Sequence, residues 1–425
     1  MLDIKFIRDN QKLVQENAGN KGIKIDIKKL LKLDDQRRKL ITKIEKLNSQ
    51  KNQANQEIAK AKGADKAKKI KMMKKVADKI SQLNPELSQV EKDYYDQMSL
   101  VPQIVDKKTP VDPEGKKSKI ERRVGNVPHF NFKQKDHLEL GRLLDIIDLE
   151  RGVRVMGTRG YFLKNEGALL ENAVLNYALD FLRERKFVQL SVPVLADEKY
   201  FIGTGYFPFM RSETFVAQDK DREFYLIGSA EVPLCGYYAG EILREEDLPV
   251  RLMALSPCFR TEVGSYGQDT KGLYRLKQFY KVEQVVLCEN DDQESKKMFD
   301  EILGNAEDFM QSLELPYQLS RLSTGEMGAG QVEKFDIETW MPSRASYSET
   351  HSCSRFGDWQ ARRLNIRYKT RAGENKFVHT LNNTLIATPR ILIPLLEINQ
   401  QAGGTVDIPQ ILRKYMSGLS KIERK

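Results

Sequence analysis

The feature that most constrains the fold is a pair of heptad-spaced apolar series near the start of the chain. Leu33, Leu40 and Leu47 lie seven residues apart. The second series steps by alternating threes and fours: Met73, Val76, Ile80, Leu83, Leu87, Val90 and Tyr94. Such spacing is typical of the buried seam of a coiled coil, and Gly63 between the series is a natural turn. The sequence therefore predicts an arm of two antiparallel helices, with a kink or a local break at Pro85.

Lysines crowd the predicted turn of this arm, with only Asp65 and Asp78 nearby to balance them. They are Lys60, Lys62, Lys66, Lys68, Lys69 and Lys71, followed by Lys74 and Lys75. The whole chain is basic as well, because 70 Lys and Arg residues stand against 60 Asp and Glu. A solvated tip and a surface that contacts phosphates are both open alternatives for this cluster.

The chain divides by composition into three segments. Residues 1–104 contain the predicted arm. Residues 105–122 combine prolines, a glycine and alternating charge without periodicity, which indicates a linker or a surface loop. Residues 123–425 contain the periodic segments of a second domain, and the length of the whole chain also favours more than one domain.

Short β-rich segments alternate with few helices in the second domain. LLENAVLNYALDFLRERKF predicts an amphipathic helix, and VQLSVPVLA predicts a strand closed by Pro193. Further strands are expected in REFYLIG, RLMALSPCFRTE, YRLKQFYKVEQVVLCE, EKFDIETWM and RRLNIRYKT. This order favours an α+β fold with an antiparallel sheet over repeated βαβ units.

Several classes of protein are disfavoured by the sequence. Four scattered cysteines, without a Cys-x-x-Cys pair, indicate neither a zinc site nor a disulfide framework. There is no P-loop motif and no strand-linked G-x-G-x-x-G. The N-terminus lacks the apolar core of a signal peptide, and no apolar run is long enough for a membrane span. We therefore expect a cytoplasmic protein with no membrane segment.

The second domain contains the elements of a different phosphate site. Arg260, Arg275 and Arg390 are candidate clamps, because a planar guanidinium can grip two oxygens at once. Gly264, Gly267 and Gly272 would let a loop bend over a ligand. Glu349 and Ser352 offer the hard oxygen ligands that magnesium bound to phosphates uses.

These residues lie in segments that closely resemble the motifs of seryl-tRNA synthetases of the bacterial type. FRTEVGSYGQDTKGLYRLKQFYKVE (259–283) resembles motif 2, and TLNNTLIATPRILIPLLEINQ (380–400) resembles motif 3, with Arg390 expected on its helix. The region ending at Pro193 resembles motif 1, and GSAEVPL, ETHSCSRFGDWQARR and the arm also match. The resemblance covers essentially the whole chain. It implies a class II synthetase catalytic domain, built on an antiparallel sheet, behind an N-terminal coiled-coil arm.

The resemblance also implies roles for individual residues. Arg260 would bridge the serine carboxylate and the α-phosphate as a catalytic residue together with Arg390, which would sandwich the adenine ring with Phe279. The serine site would comprise Ser229, Glu231, Arg260, Glu283 and Thr384, with Glu283 as the expected partner of the substrate hydroxyl. The ATP site would comprise Arg260, Thr261, Glu262, Arg275, Phe279, Glu349, Thr350, His351, Ser352 and Arg390. Glu349 and Ser352 would hold Mg²⁺.

The partners implied by the resemblance are ATP, L-serine, tRNA(Ser) and a second copy of the chain, with tRNA(Sec) as a further candidate acceptor. In this family the arm grips the long variable arm of the tRNA by shape and backbone. The lysines from Lys60 to Lys71 suit such contacts. Motif 1 would lie at the dimer contact.

The chain departs from the family pattern at five positions. The family usually has Arg at Gln268, His at Lys277, Thr at Ser229, Ser at His351 and Gly at Asn383. Two other functions stay open on the sequence: a catalytically impaired paralogue that binds RNA, and a ligase that charges a carrier protein. Intact Arg260, Glu283, Glu349 and Arg390 argue against the first. The arm and the lack of a zinc set argue against the second.

Overall fold

The structure is a computed structural model, and it describes residues 1–60, 62–263 and 272–424. The chain forms two compact units. The arm unit comprises Leu2–Gly19 and Ile23–Pro102. The large unit comprises Met1, Asn20–Gly22 and the chain from Gln103 onwards.

The arm unit is helical, as the seams predict. Helices α3 and α4 contain 34 and 38 residues, so each extends for about 50 Å or more. Leu40, Ile44 and Leu83 form a buried cluster between them. Lys69 near the start of α4 pairs with Glu57 near the end of α3, as expected for antiparallel helices. The four helices are α1 (Ile4–Asp9), α2 (Gln11–Asn20), α3 (Ile27–Lys60) and α4 (Gly63–Leu100).

Helix α4 continues through Pro85, so the local break that the sequence left open at this position does not occur. Proline removes one hydrogen bond from the helix. The apolar seam continues on both sides of it, because Leu83 is buried and Leu87 packs beside it. Packing along the seam therefore outweighs the single lost hydrogen bond.

The large unit is built on an eight-stranded sheet in the order β1-β11-β12-β13-β16-β10-β9-β4. All neighbours are antiparallel except β4 and β9, which confirms the predicted α+β class. Its strands are β1 (Lys119–Val124), β4 (Val188–Gln189), β9 (Val250–Phe259), β10 (Gln278–Cys288), β11 (Tyr317–Arg321), β12 (Glu333–Met341), β13 (Ser346–Gly357) and β16 (His379–Thr388).

The remaining strands form four small sheets. They are β2 (Ile147–Asp148), β3 (Phe162–Leu163), β5 (Leu195–Ala196), β6 (Val216–Asp219), β7 (Arg222–Leu226), β8 (Ile242–Arg244), β14 (Arg367–Lys369), β15 (Asn375–Phe377), β17 (Val406–Asp407) and β18 (Lys421–Ile422).

Helices α7 and α10 pack on one face of the large sheet, where their apolar residues join the main core. The opposite face of β10 carries a second buried apolar cluster around Val285 and Leu287 and, next to it, polar residues. The helices of this unit are α5 (His137–Leu143), α6 (Leu149–Met156), α7 (Asn165–Glu184), α8 (Glu198–Thr204), α9 (Glu231–Gly236), α10 (Asp292–Ser312), α11 (Trp359–Leu364), α12 (Leu392–Ile398) and α13 (Gln410–Arg413).

Three local predictions need correction. Residues 105–122 are not simply a linker, because β1 begins at Lys119 and pairs with β11 at the edge of the large sheet. Its sequence KIERRV is mostly exposed and lacks the apolar alternation of a half-buried strand. VQLSVPVLA forms two short strands in different sheets, and the first half of RRLNIRYKT belongs to α11. The boundary between the two compact units lies between residues 102 and 103.

The described residues contain no helix that is both long enough and apolar enough to cross a membrane. All four cysteines are free thiols buried in the large unit.

Candidate active site

A cavity of about 400 Å³ opens on the polar face of the central strands β10, β13 and β16. Side chains alternate along a strand, so Phe279, Lys281 and Glu283 of β10 face the same side. Asn382 and Thr384 of β16 and Ser352 and Ser354 of β13 complete this floor. Ten of the residues predicted for substrate binding line the cavity: Glu231, Arg260, Glu262, Phe279, Glu283, Glu349, Thr350, Ser352, Thr384 and Arg390.

Glu231 lies in a buried hydrogen-bonded network at one end of the cavity. Gln360 donates to its Oε1 at 2.7 Å, and the Tyr206 hydroxyl donates to its Oε2 at 3.2 Å. Gln360 in turn accepts from Thr380. Burial, followed by the charge of Glu283, raises the pKa of Glu231 to about 7. A cationic substrate group would favour the ionised form.

Glu283 lies beside Glu231 and forms an ion pair with Lys281. Nζ of Lys281 is 2.5 Å from Oε2 of Glu283, and both side chains are almost fully buried. Burying a charge is costly unless it is paired, so each member of this ion pair offsets the burial cost of the other.

Arg260 lies between the acidic end and the aromatic part of the cavity. Its Nη2 donates to the Gly228 carbonyl at 3.3 Å, and its guanidinium carbon lies 5.3 Å from the centre of the Phe279 ring. These contacts hold the guanidinium in the cavity, where it can meet an anionic group.

Glu262 adopts the left-handed backbone conformation, with a φ of +57°, which is unfavourable for a residue that has a side chain. Its carboxylate is 3.2 Å from Nη1 of Arg159 and 3.6 Å from Nη1 of Arg275. The two arginines hold Glu262 at the edge of the cavity. Arg275 therefore acts on the site through Glu262 in this structure, and it is not among the residues that line the cavity.

Tyr274 lies between two arginines. The guanidinium carbons of Arg344 and Arg390 are 3.9 and 4.3 Å from the centre of its ring. Arg390 also donates from Nε to the Tyr274 carbonyl and from Nη1 to the Glu349 carbonyl, at 3.0 and 3.1 Å. These contacts fix the plane of the Arg390 guanidinium. Arg390 was expected on the motif 3 helix, but it lies in the turn two residues before α12 begins.

His137 contacts the segment that follows the motif 2 loop. Nδ1 of His137 is 2.7 Å from the Glu397 carboxylate, and its Nε2 accepts from the Leu273 N–H at 3.3 Å. At the neighbouring position a glycine is required. Gly272 has a φ of +85°, and a Cβ there would approach His137 to 2.5 Å.

The oxygen atoms predicted for magnesium are found at one wall of the cavity. Glu349 and Ser352 both line it, and Asp336 lies opposite Ser352 on β12. Oδ1 of buried Asp336 has no hydrogen-bond partner, and burial raises the pKa of this carboxyl group. Two or three hard oxygens suit a magnesium ion that takes most of its ligands from phosphates and water. The described residues contain no group of three or more His, Cys, Asp or Glu residues that would hold a metal without such help.

A β-bulge explains why Glu349 and Ser352 share a face. His351 pairs with Ile337 and Glu349 pairs with Glu338, so Thr350 is an extra residue on β13. In a regular strand Glu349 would face the core together with His351. Leu385 forms a second bulge beside Thr384.

Four predicted residues are not among those that line the cavity. Ser229 accepts from the Glu231 N–H at 3.2 Å, and Thr261 donates to the Ser212 carbonyl at 2.8 Å. His351 is buried, with Nδ1 2.8 Å from the Thr350 hydroxyl, and burial lowers its pKa to about 4. Arg275 is the fourth of these residues, and its contact is with Glu262.

The other departures lie away from the cavity or outside the described residues. Asn383 faces helix α10 and donates to the Ile302 carbonyl at 2.5 Å. The Lys277 carbonyl accepts from the Arg260 N–H at 3.0 Å. Gln268, Gly264 and Gly267 lie outside the described residues.

Several residues of the site were not identified from the sequence, namely Arg159, Tyr206, Tyr274, Lys281, Lys334 and Gln360. Alternation along the strand could have identified Lys281, because it lies two residues from both Phe279 and Glu283. Lys334 is two residues from Asp336 in the same way. The others come from distant segments, and no local pattern marks them.

Lys21, from the short N-terminal part of the large unit, supports a loop beside the cavity. Its buried Nζ donates to the carbonyls of Gly328, Ala329 and Gln331 at 3.2, 3.0 and 2.6 Å. Burial lowers its pKa to about 7. Gly328 and Gln331 line the cavity, so Lys21 positions part of its wall.

The antiparallel sheet and its arginine-rich cavity define a class II aminoacyl-tRNA synthetase. The family model described as "tRNA synthetase class II core domain (G, H, P, S and T)" matches residues 213–399. A prolyl-tRNA synthetase structure from Giardia lamblia shares the fold at a TM-score of 0.57 and 15% identity, covering 64% of this chain and 54% of that one.

Within this class, the chain belongs to the seryl-tRNA synthetase family. The family model described as "Seryl-tRNA synthetase N-terminal domain" matches residues 1–105. A serine–tRNA ligase from Deinococcus radiodurans is 42% identical over 418 residues, which cover 98% of each chain. One from Dictyoglomus turgidum is 39% identical over 428 residues, which cover 100% of each. The structure of seryl-tRNA synthetase from Pyrococcus horikoshii complexed with ATP is 34% identical, with a TM-score of 0.88 over 100% of each chain.

Proposed function

We propose that this chain activates L-serine with ATP and transfers it to the 3′ end of tRNA(Ser), with both chemical steps in the cavity of the large unit. The observation that carries the proposal is the arrangement of that cavity. Buried carboxylates, Glu231 and Glu283, lie at one end, Arg260 lies between, and Arg390 with Glu349 lies at the other. This arrangement suits an amino acid and a nucleotide that meet at Arg260.

In the activation step, a serine carboxylate oxygen attacks the α-phosphorus of ATP, and the bond to the departing pyrophosphate breaks. Arg260 would bind both the carboxylate and the α-phosphate, which aligns the reacting atoms and neutralises developing charge. No general base is needed, because the carboxylate is already ionised. Phe279 and the fixed guanidinium of Arg390 would hold the adenine ring between them, and Glu262 would contact its edge.

Glu349 and Ser352 would hold Mg²⁺, with Asp336 behind Ser352. The chemistry that Mg²⁺ would supply at these residues is stabilisation of the negative charge on the departing pyrophosphate.

Selection of serine would depend on the acidic end of the cavity. Glu231 and Glu283 would bind the α-ammonium and the hydroxyl group, with Thr384 nearby. Alanine would leave these buried polar groups without a partner, which is penalised strongly. Threonine would need room for an additional methyl group.

In the second step, a terminal ribose hydroxyl of the tRNA attacks the carbonyl carbon of seryl-adenylate, and AMP leaves. The lysines near the end of the arm would bind the tRNA backbone. They are Lys60, Lys62, Lys66, Lys68, Lys69 and Lys71, of which all but the half-buried Lys69 are exposed. We propose a homodimer in the cytoplasm, and tRNA(Sec) as a second acceptor.

Serine-dependent exchange of labelled pyrophosphate into ATP tests the activation step. With magnesium present, we expect exchange with serine to exceed exchange with threonine, alanine, glycine or cysteine by at least about 100-fold, because hydroxyl-dependent sites discriminate strongly. Exchange that fails with every amino acid, in a folded protein, would favour the impaired RNA-binding paralogue.

Arg260→Ala should abolish exchange, with a loss of about 100-fold or more, because the alanine variant lacks the group that stabilises the transition state. Arg244→Ala is the matched control, because Arg244 is an exposed arginine paired with Glu246 and Asp247 away from the cavity. An active, folded Arg260→Ala enzyme would contradict the assigned role.

A further inference from the structure

Lys281 is a buried cation for which the proposed chemistry has no role. It lies on β10 between Phe279 and Glu283, lines the cavity, and has only 6% of its surface exposed. Its Nζ lies 2.5 Å from Oε2 of Glu283. In the proposed reaction Arg260 binds the substrate carboxylate. The Lys281 ammonium contacts a side chain of the protein instead.

The charges at this end of the cavity come from four side chains. Glu231 and Glu283 are acidic, and Lys281 and Arg260 are basic. Tyr206 and Cys235 also face the acidic pair, and burial raises the pKa of both, so they stay neutral. Two acids and two bases sum to zero, which matches a zwitterionic amino acid.

Two buried carboxylates next to each other cannot both ionise easily. Burial and the Glu283 charge raise the pKa of Glu231, and the Lys281 charge acts in the opposite direction. Without Lys281, Glu231 would hold its proton more tightly, and a protonated Glu231 offers no negative charge to an ammonium group.

We propose that Lys281 is a positioning residue: its ion pair with Glu283 and its positive charge near Glu231 favour the carboxylate form of Glu231, so that the cavity selects a substrate with a free α-ammonium group. The proposal rests on the proposed function, because it assumes that serine occupies this end of the cavity. Lys281 contacts Oε2 of Glu283, and both side chains line the cavity.

The test compares Lys281→Met, which keeps a long side chain without charge, with Lys281→Arg, which keeps the charge. For Lys281→Met we expect the KM for serine to rise by about 30-fold or more, because a buried charge pair is broken. The KM for ATP should change less than about twofold. Lys281→Arg should restore much of the serine affinity.

Glycerate separates a charge effect from a change of shape, because it carries a hydroxyl in place of the serine ammonium. Its inhibition constant against serine should be nearly the same in wild type and Lys281→Met. An equal loss of serine and glycerate affinity would show that Lys281 only maintains the shape of the cavity, and the proposal would be wrong. An unchanged KM for serine would also overturn it.

The pH profile provides a second readout. Serine kcat/KM should fall as the pH drops through the pKa of Glu231 in the free enzyme, about 7, because the protonated acid attracts no ammonium. In Lys281→Met the acid limb should move to higher pH, and an unmoved limb would count against the proposal.

Calorimetric binding of serine and glycerate gives the same comparison without turnover. A wild type that binds serine but does not exchange would contradict the proposed function alone.

Discussion

At the scale of single residues, the resemblance identified most of the side chains that meet in the cavity but not their orientation. Phe279 and Glu283 follow simple alternation along β10, so their common face could be predicted. His351 and Ser352 are adjacent and were assigned to the same site, yet only Ser352 lines the cavity. Alternation along the strand separates these two neighbours. The extra residue at Thr350 puts Glu349 on the same face as Ser352, and bulges depend on pairing with another strand, which the local sequence does not encode.

The orientation of His351 leads to a direct comparison with its neighbour. We expect His351→Ala to change the KM for ATP by less than about twofold, because the side chain faces away from the cavity. Ser352→Ala should raise the magnesium concentration needed for half-maximal exchange by about threefold or more, since it removes an oxygen ligand. Equal effects of the two substitutions would contradict the orientation of β13.

Tyr274 holds Arg390 in place, and its removal should weaken ATP binding. Cation–π contacts contribute about 0.5–2 kcal/mol, so Tyr274→Leu should raise the KM for ATP by about 3- to 30-fold. Tyr274→Phe keeps the ring and loses only the hydroxyl contact with the Glu349 carbonyl, so its effect should be smaller. Pyrophosphate exchange at varied ATP concentrations measures both. A leucine variant with wild-type KM would show that Arg390 needs no such support.

At the scale of elements, the sequence predicted the arm well because heptad spacing depends on neighbours within the same helices. It predicted β1 poorly, since this edge strand is stabilised by its pairing with β11 and not by an apolar face of its own. The effect of Pro85 on helix α4 was overestimated for a similar reason. A local rule expects a break, but packing along the seam maintains the helix.

Amino acid activation should not require the outer part of the arm. Residues 41–86 can be replaced by a short glycine turn, because Leu40 and Leu87 pack in the same cluster at the cut. This cut keeps Asp34 with Arg8 and Arg37, which pair at 2.7 and 3.3 Å. We expect serine-dependent exchange within about twofold of wild type and tRNA charging reduced by about 100-fold or more, because phosphate contacts dominate affinity for nucleic acid. Normal charging by the shortened protein would refute the arm as the tRNA grip.

At the scale of the whole molecule, the formal net charge of +10 favours association with a polyanion. Composition could predict this tendency, but it could not say which lysines are available to contact phosphates. Lys69 is paired with Glu57 and Asp65 at 3.0 and 3.7 Å, whereas Lys66 on the same helix is exposed.

We therefore expect tRNA binding to weaken steeply with salt while amino acid activation stays nearly constant. Each phosphate contact contributes about 0.7–0.9 to the slope of log affinity against log salt, so Lys66→Ala should lower the slope by about that amount. Lys69→Ala should lower it less, since an acidic pair already competes for its charge. Filter binding at several salt concentrations measures both slopes. A larger effect at Lys69 than at Lys66 would contradict the proposed contact surface.

The extra residue at Thr350 has a consequence for how this protein can change over generations. A substitution in β13 alters one side chain and leaves all the others where they were. Loss of Thr350 would remove the extra residue and leave Glu349 and Ser352 on the same face, because one residue would then separate them in a regular strand. Loss of His351 with Thr350 retained would have the same result only if the strand became regular, so the face of Glu349 depends on the number of residues before Ser352 and on the bulge that absorbs the extra one.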